Sequence, residues 1–209
     1  MAERYEHTIA PFTRKLFDKL ATTPWIADFY LAGGTALALQ LGHRTSVDLD
    51  FFSETSFDES RLLPPLASIG ILEVLQTAPQ SIIGTLDGVK ISFLEYRYPL
   101  LKAPTELDRV KIASIEDIAA MKLNALARRG TKRDFVDVYF IAKRQPLSEQ
   151  LRLFQTKYNS VGFNLVHLKK SLVFFEDAES EPMPAMLVPT EWREVKNFFV
   201  EEAPGLAAI

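Results

Sequence analysis

The sequence predicts an α+β fold, and three features carry that reading. Strand-type alternation is concentrated in the first half of the 209 residues. Helical spacing of apolar residues dominates the second half. A Gly33-Gly34 turn between a short apolar run and a helix sits close to an alternating strand that carries two aspartates. Residues 9–22 place Ile9, Phe12, Leu16, Phe17 and Leu20 three and four apart, which predicts an amphipathic helix. It ends before Pro24, because the residue ahead of a proline resists helical geometry. Residues 29–32 read as a short buried strand. After the glycines, a helix opened by Thr35 runs to Leu41 and closes at Gly42. Residues 47–52 alternate, with Val47, Leu49 and Phe51 on one face and Asp48, Asp50 and Phe52 on the other.

A helix marked by Leu62, Leu63, Leu66 and Ile69 starts at Asp58 or Ser60. Strands follow at 71–77, 81–86 and 89–94, the last two joined by an Asp87-Gly88 hairpin turn. Residues 110–113 are expected to form an edge strand, after a loop bracketed by Pro99 and Pro104. Ser114 and Asp117 have capping-box spacing and open a helix that stops at Gly130. Further helices are expected at 132–143, 147–158, 163–172 and 190–200, with a proline-containing connector at 179–189. The expected division is an α/β core at 1–113 and a helical region at 114–209.

Composition narrows the chemistry. The chain is 47% hydrophobic and 24% charged, with net charge −3, an ordinary globular balance. It has no cysteine, which excludes disulfides, thiolate metal sites and cysteine nucleophiles. His7, His43 and His167 show no ligand spacing. No apolar run is long enough to span a bilayer, and the N-terminal stretch is polar, so the expectation is a cytoplasmic protein without a membrane partner. Charge is uneven. Residues 97–144 carry eleven Lys and Arg against six acids, whereas 48–60 carry five acids and no base. This suits a site for a metal and a polyanion together, though alternating solvated faces would give the same counts.

The chemistry centres on the glycines and the aspartates. Period two puts Asp48 and Asp50 on one strand face, where like charges repel unless a cation lies between them. Oxygen ligands of this kind suit Mg²⁺, which accepts a carboxylate or two and takes phosphate oxygens besides. Gly33 and Gly34 let backbone N–H groups approach a phosphate at a helix N-terminus, and Thr35 can cap that helix or bond the same phosphate.

This unit resembles the nucleotidyltransferase superfamily typified by polymerase β. More closely, residues 31–39 (LAGGTALAL) and 43–52 (HRTSVDLDFF) look like the AbiEii/AbiGii toxin family of type IV toxin–antitoxin systems, related to the MenT toxins. A second block, residues 114–125 (SIEDIAAMKLNA) with 129–139 (RGTKRDFVDVY), matches too. The resemblance implies a polymerase β-like mixed sheet with flanking helices. It also implies transfer of a nucleotide from an NTP, with pyrophosphate leaving. In that frame Asp48 and Asp50 hold Mg²⁺, Gly33, Gly34 and Thr35 form the phosphate turn, Lys122 contacts the triphosphate and Asp134 is the further motif acid. Arg44 and Asp137 are expected at the nucleotide, and Asp137 or Asp134 could instead orient Lys122 or pair with Arg133 or Lys132. The implied acceptor is tRNA, with a protein hydroxyl as the other option, and the implied partner is a separately encoded antitoxin. The segment 128–133 reads equally as an RNA surface and as a solvated helix junction. One departure stands out: the place of the superfamily's third carboxylate is held by Ser92. Either Glu95 swings in, or two carboxylates and another base suffice, or the scaffold binds nucleotides or a partner without turnover.

Overall fold

The computed structural model describes residues 5–160 and 162–206; residues 1–4, part of the polar N-terminal stretch, lie outside the described residues. Helix α1 (Pro11–Ala21) leads through a short 3-10 turn to strand β1 (Tyr30–Ala32), helix α2 (Gly33–Leu41) and strand β2 (Leu49–Ser53). Helix α3 (Glu59–Ile69) precedes β3 (Leu72–Ala78), β4 (Ser81–Leu86), β5 (Val89–Glu95), β6 (Thr105–Leu107) and β7 (Val110–Ile112). The remainder is helical: α4 (Ile115–Arg128), α5 (Lys132–Ala142), α6 (Leu147–Lys157), α7 (Leu165–Ser171), α8 (Glu176–Glu179) and α9 (Trp192–Glu202).

Among the described residues the strands form one seven-stranded mixed sheet in the order β3-β4-β5-β2-β1-β7-β6. Two registers matter for function. β1 runs antiparallel to β2 with Ala32 opposite Asp50, and β2 runs parallel to β5 with Asp50 opposite Ser92. The β4–β5 hairpin turns on Asp87 (φ 50°) and Gly88 (φ 77°), two successive left-handed residues that match strand twist.

Three expectations need correction. Val47 is 43% exposed and lies ahead of β2, so the buried strand face begins at Leu49. Residues 110–112 form an interior strand, because β6, an unforeseen strand just after the proline-bracketed loop, takes the edge. Helix α2 begins at Gly33 rather than Thr35, and Thr35 does not cap it. The Thr35 hydroxyl donates to the Asp48 carbonyl and lies 2.8 Å from Ser46 Oγ, pinning the segment that leads into β2.

Two apolar clusters meet across α4. The first joins the sheet to α1 and α2 through Leu16, Phe17, Leu31, Phe51 and Phe93. Phe93 stacks on Phe51 at 4.9 Å and receives the edges of Phe29 and Trp25. Burial of each such ring contributes on the order of 2–3 kcal/mol. The second cluster packs α4 to α9 through Leu123, Phe135, Phe154, Val195 and Phe199. Within α4, Ile118 and Ala119 face the first cluster, while Ala120 and Leu123 face the second. The helix is fixed at its start by Ser114, whose Oγ accepts the Asp117 N–H at 3.0 Å. Asp117 in turn takes the buried Lys157 ammonium of α6 at 2.7 Å.

Candidate active site

The glycine turn is required by what crowds it. At the end of β1 the chain bends directly into α2 with Gly33 at φ +68°, a conformation L side chains rarely adopt. A Cβ on Gly33 would lie 3.0 Å from Asp50 Oδ2, and one on Gly34 would lie 2.4 Å from Arg44 Nη2. The backbone therefore packs directly against a carboxylate and a guanidinium. No side chain caps α2, so its first N–H groups lack an intrahelical or side-chain partner.

Asp48 and Asp50 are both half-buried. Asp50 Oδ1 accepts a hydrogen bond from Ser92 Oγ at 2.6 Å, as their register dictates. Asp48 Oδ2 lies 3.8 Å from Arg133 Nη1, a loose and half-exposed ion pair. Both carboxylates keep oxygen lone pairs open to a neighbouring cavity.

Behind them lies a buried ion network. Asp137, with no exposed surface, accepts from Arg44 Nε at 2.7 Å and Nη2 at 2.8 Å, and from His43 Nε2 at 2.8 Å. Lys122 Nζ lies 2.6 Å from Asp137 Oδ2 and 2.8 Å from Asp134 Oδ1. Asp134 also accepts from Arg129 Nε at 3.0 Å and from the Thr131 hydroxyl at 2.7 Å. The helical spacing of three puts both acids of α5 on the side facing α4.

The electrostatics follow from this packing. Burial opposes the charge on Asp137, but Arg44 and Lys122 outweigh it and hold the carboxyl well below the usual range. Asp134 is lowered in the same way, burial being outweighed by Lys122 and Arg129. Burial also works against the Lys122 ammonium, which Asp137 and Asp134 nevertheless keep raised. For His43 burial wins over Asp137, so the ring is held neutral below its ordinary value.

Two cavities adjoin this arrangement. A polar one of about 150 Å³ is lined by Asp48, Asp50, Asp134 and the cations Arg44, Lys90, Lys122, Arg129 and Arg133. A second, of about 380 Å³, shares Gly34, Asp50, Lys122 and Arg129 with it and is otherwise mainly apolar. No group of three or more His, Asp or Glu converges among the described residues. The donor set at the first cavity is two carboxylates facing open space, which fits a hard cation that takes its remaining ligands from phosphate and water.

A family model described as "Nucleotidyl transferase AbiEii toxin, Type IV TA system" matches residues 14–112 and 83–207. The chain belongs to the AbiEii nucleotidyltransferase family. It is 39% identical over 192 residues to an uncharacterised protein of Aquifex aeolicus strain VF5, a match spanning 89% of this chain and 91% of that one. Its fold is similar to that of MenT4, a nucleotidyltransferase toxin from Mycobacterium tuberculosis H37Rv. There the TM-score is 0.61 at 17% identity, over 94% of this chain and 84% of MenT4. It is also similar to JHP933 from Helicobacter pylori, with a TM-score of 0.52 at 20% identity, over 97% and 93% of the two chains.

In this AbiEii transferase, Gly34, Arg44, Asp48, Asp50, Lys122 and Asp134 line one cavity, and Gly33 lines the adjoining one. Thr35 and Asp137 line neither. Thr35 is 2% exposed and Asp137 fully buried, so direct contact with a nucleotide is closed to both in this arrangement. Nor does either acid of α5 pair with Lys132, which bonds the Glu179 and Glu181 carbonyls, or with Arg133. Glu95 sits opposite Ser53 in the register, on the face away from Asp50, and pairs with Arg97 at 3.0 Å. Sequence reasoning missed Lys90, although the alternation that pairs Ser92 with Asp50 puts Lys90 on the same face.

Proposed function

We propose that this chain transfers a nucleotide from an NTP to tRNA, using Mg²⁺, and acts as a growth-inhibiting toxin in the cytoplasm. A separately encoded antitoxin restrains it. The observation that carries this reading is the pair Asp48 and Asp50, lightly bonded and open, beside an uncapped glycine turn and a cavity holding five cationic side chains. That is the arrangement a metal–triphosphate needs.

Asp48 and Asp50 would hold Mg²⁺, which when bound offsets triphosphate charge and orients the phosphates. Lys122, kept charged by its two buried carboxylates, supplies a fixed positive charge beside the carboxylate pair. Lys90, Arg129 and Arg133 stabilise the charge that builds on the leaving pyrophosphate. Arg44 and Asp137 act behind them, holding Lys122 and the glycine turn in place. The acceptor hydroxyl oxygen bonds to the α-phosphorus as the bond to the bridging oxygen breaks; pyrophosphate leaves and the hydroxyl proton passes to solvent. RNA is favoured over a protein acceptor by Arg129 and Arg133, whose exposed side chains extend from the polar cavity to where a phosphodiester backbone would run.

The test is incubation with Mg²⁺, total cellular RNA and protein, and each NTP labelled at its α-phosphate. Label in small RNA is expected. Label in protein alone would replace the acceptor. The Ser92 hydroxyl, in the register position of a third acid, favours one second reading: a scaffold that binds NTP without transfer. Nucleotide binding with no label in any fraction would establish it.

A further inference from the structure

The second cavity differs in chemistry from the first, and beyond the residues they share its apolar walls have no task in the phosphate chemistry. Its walls are Phe52, Leu94, Tyr96 and Met121, with Asn124 and Arg128 supplying polar atoms. The two cavities meet at Gly34, Asp50, Lys122 and Arg129. In a transfer reaction the α-phosphate lies at the metal-binding carboxylates. With pyrophosphate among the cations of the polar cavity, what extends from the α-phosphate the other way is the nucleoside. We infer that the apolar cavity receives the base and ribose of the donor NTP, and that Tyr96, Asn124 and Arg128 determine which base is preferred. This rests on the transferase reading above.

The rings are set before any ligand arrives. Phe52 stacks on Tyr30 at 5.9 Å and takes the edge of Tyr96 at 5.4 Å. Tyr96 is held by Tyr98 at 5.0 Å and by a hydroxyl–hydroxyl bond to Tyr158. Aromatic rings fixed edge to face in this way offer contact area to a base at little ordering cost. Asn124 carries both a donor and an acceptor, and Arg128 carries planar donors, the groups that distinguish one base edge from another. Neither lines the polar cavity, so both act on the nucleoside without touching the phosphates.

Equilibrium binding without acceptor tests this, using the four NTPs and inorganic triphosphate on the wild type, Asn124→Ala, Arg128→Ala and Tyr96→Phe. Arg128 is exposed and Asn124 half-buried, and matched melting curves check that each variant is folded. Asn124→Ala and Arg128→Ala should weaken the preferred NTP about tenfold and narrow the spread among the four. Triphosphate affinity should stay within about twofold. Tyr96→Phe keeps the ring and should shift base preference more than overall affinity. Unchanged NTP binding in every variant would overturn the assignment while leaving the transferase intact. So would variants that alter only the KM for RNA, since the cavity would then belong to the acceptor. A wild type that binds triphosphate but no NTP any better would also overturn it. Failure to bind either would remove the transferase reading itself.

Discussion

Asp50 lies on β2 and Asp48 just ahead of it, both half-buried, Asp50 bonded to Ser92 and Asp48 loosely to Arg133. Asp134 and Asp137 stand three apart on a helix, buried, with Lys122, Arg44, Arg129, His43 and Thr131 occupying their oxygens. The first pair retains lone pairs for a ligand; the second has used them. The resemblance puts them in two separate blocks of the family pattern, and in the proposed reading one pair meets substrate while the other holds the groups that do. Free coordination capacity, more than residue type or spacing, separates the two roles.

Removing a member of the buried pair should have the largest effect. Asp137→Ala leaves Arg44 and Lys122 without their counter-charge and should cost about 3–5 kcal/mol of stability, read as a lower urea midpoint. Gly34→Ala comes next. Its Cβ would meet the Arg44 guanidinium at 2.4 Å, and both Asp137 oxygens hold that group, so it cannot simply swing aside. About 1–3 kcal/mol of overpacking strain is expected, together with slower transfer. If Gly34→Ala melts as the wild type does, the network is looser than described.

The pH dependence of stability should show the same network. Asp134 and Asp137 are held below the ordinary aspartate range, so their contribution is complete above that range and is lost as pH falls through the lower folded values. His43 is held below 6.5, so the unfolded chain gains a proton there that the folded chain refuses, and stability begins to fall already below that pH. Urea titrations from pH 8 to 3 should show both declines. His43→Gln should remove the earlier one. The smallest effect belongs to Glu95→Gln: on the far face and paired with Arg97, it should leave transfer within about twofold and stability within about 0.5 kcal/mol.

Much of this was legible in the sequence. Alternation placed Asp48 and Asp50 on one face, and the resemblance put Ser92 where the superfamily carries a third acid, a position that register sets opposite Asp50. The capping residues Ser114 and Thr131 mark the starts of α4 and α5 as their types suggest. What the sequence hid depends on contacts between distant segments. A helix with aspartates three apart reads as a solvated face, and only packing against α4 and the His43-Arg44 segment buries them. β6 is three residues long with no alternation to signal it, so β7 read as an edge. Nothing in the sequence sets Lys90 apart from a solvated strand lysine, because the cavity beside it exists only once α4 and α5 dock.

The measurement that tests the comparison most directly is transfer of α-labelled nucleotide by the Asp48→Asn, Asp50→Asn double variant, with its urea unfolding recorded on the same preparation. The open pair should be indispensable to chemistry and nearly silent in stability. Transfer should fall about a thousandfold or more, while the unfolding free energy stays within about 1 kcal/mol of wild type. Transfer retained within tenfold in a folded double variant would contradict the account, because the carboxylates would then not be the site of reaction.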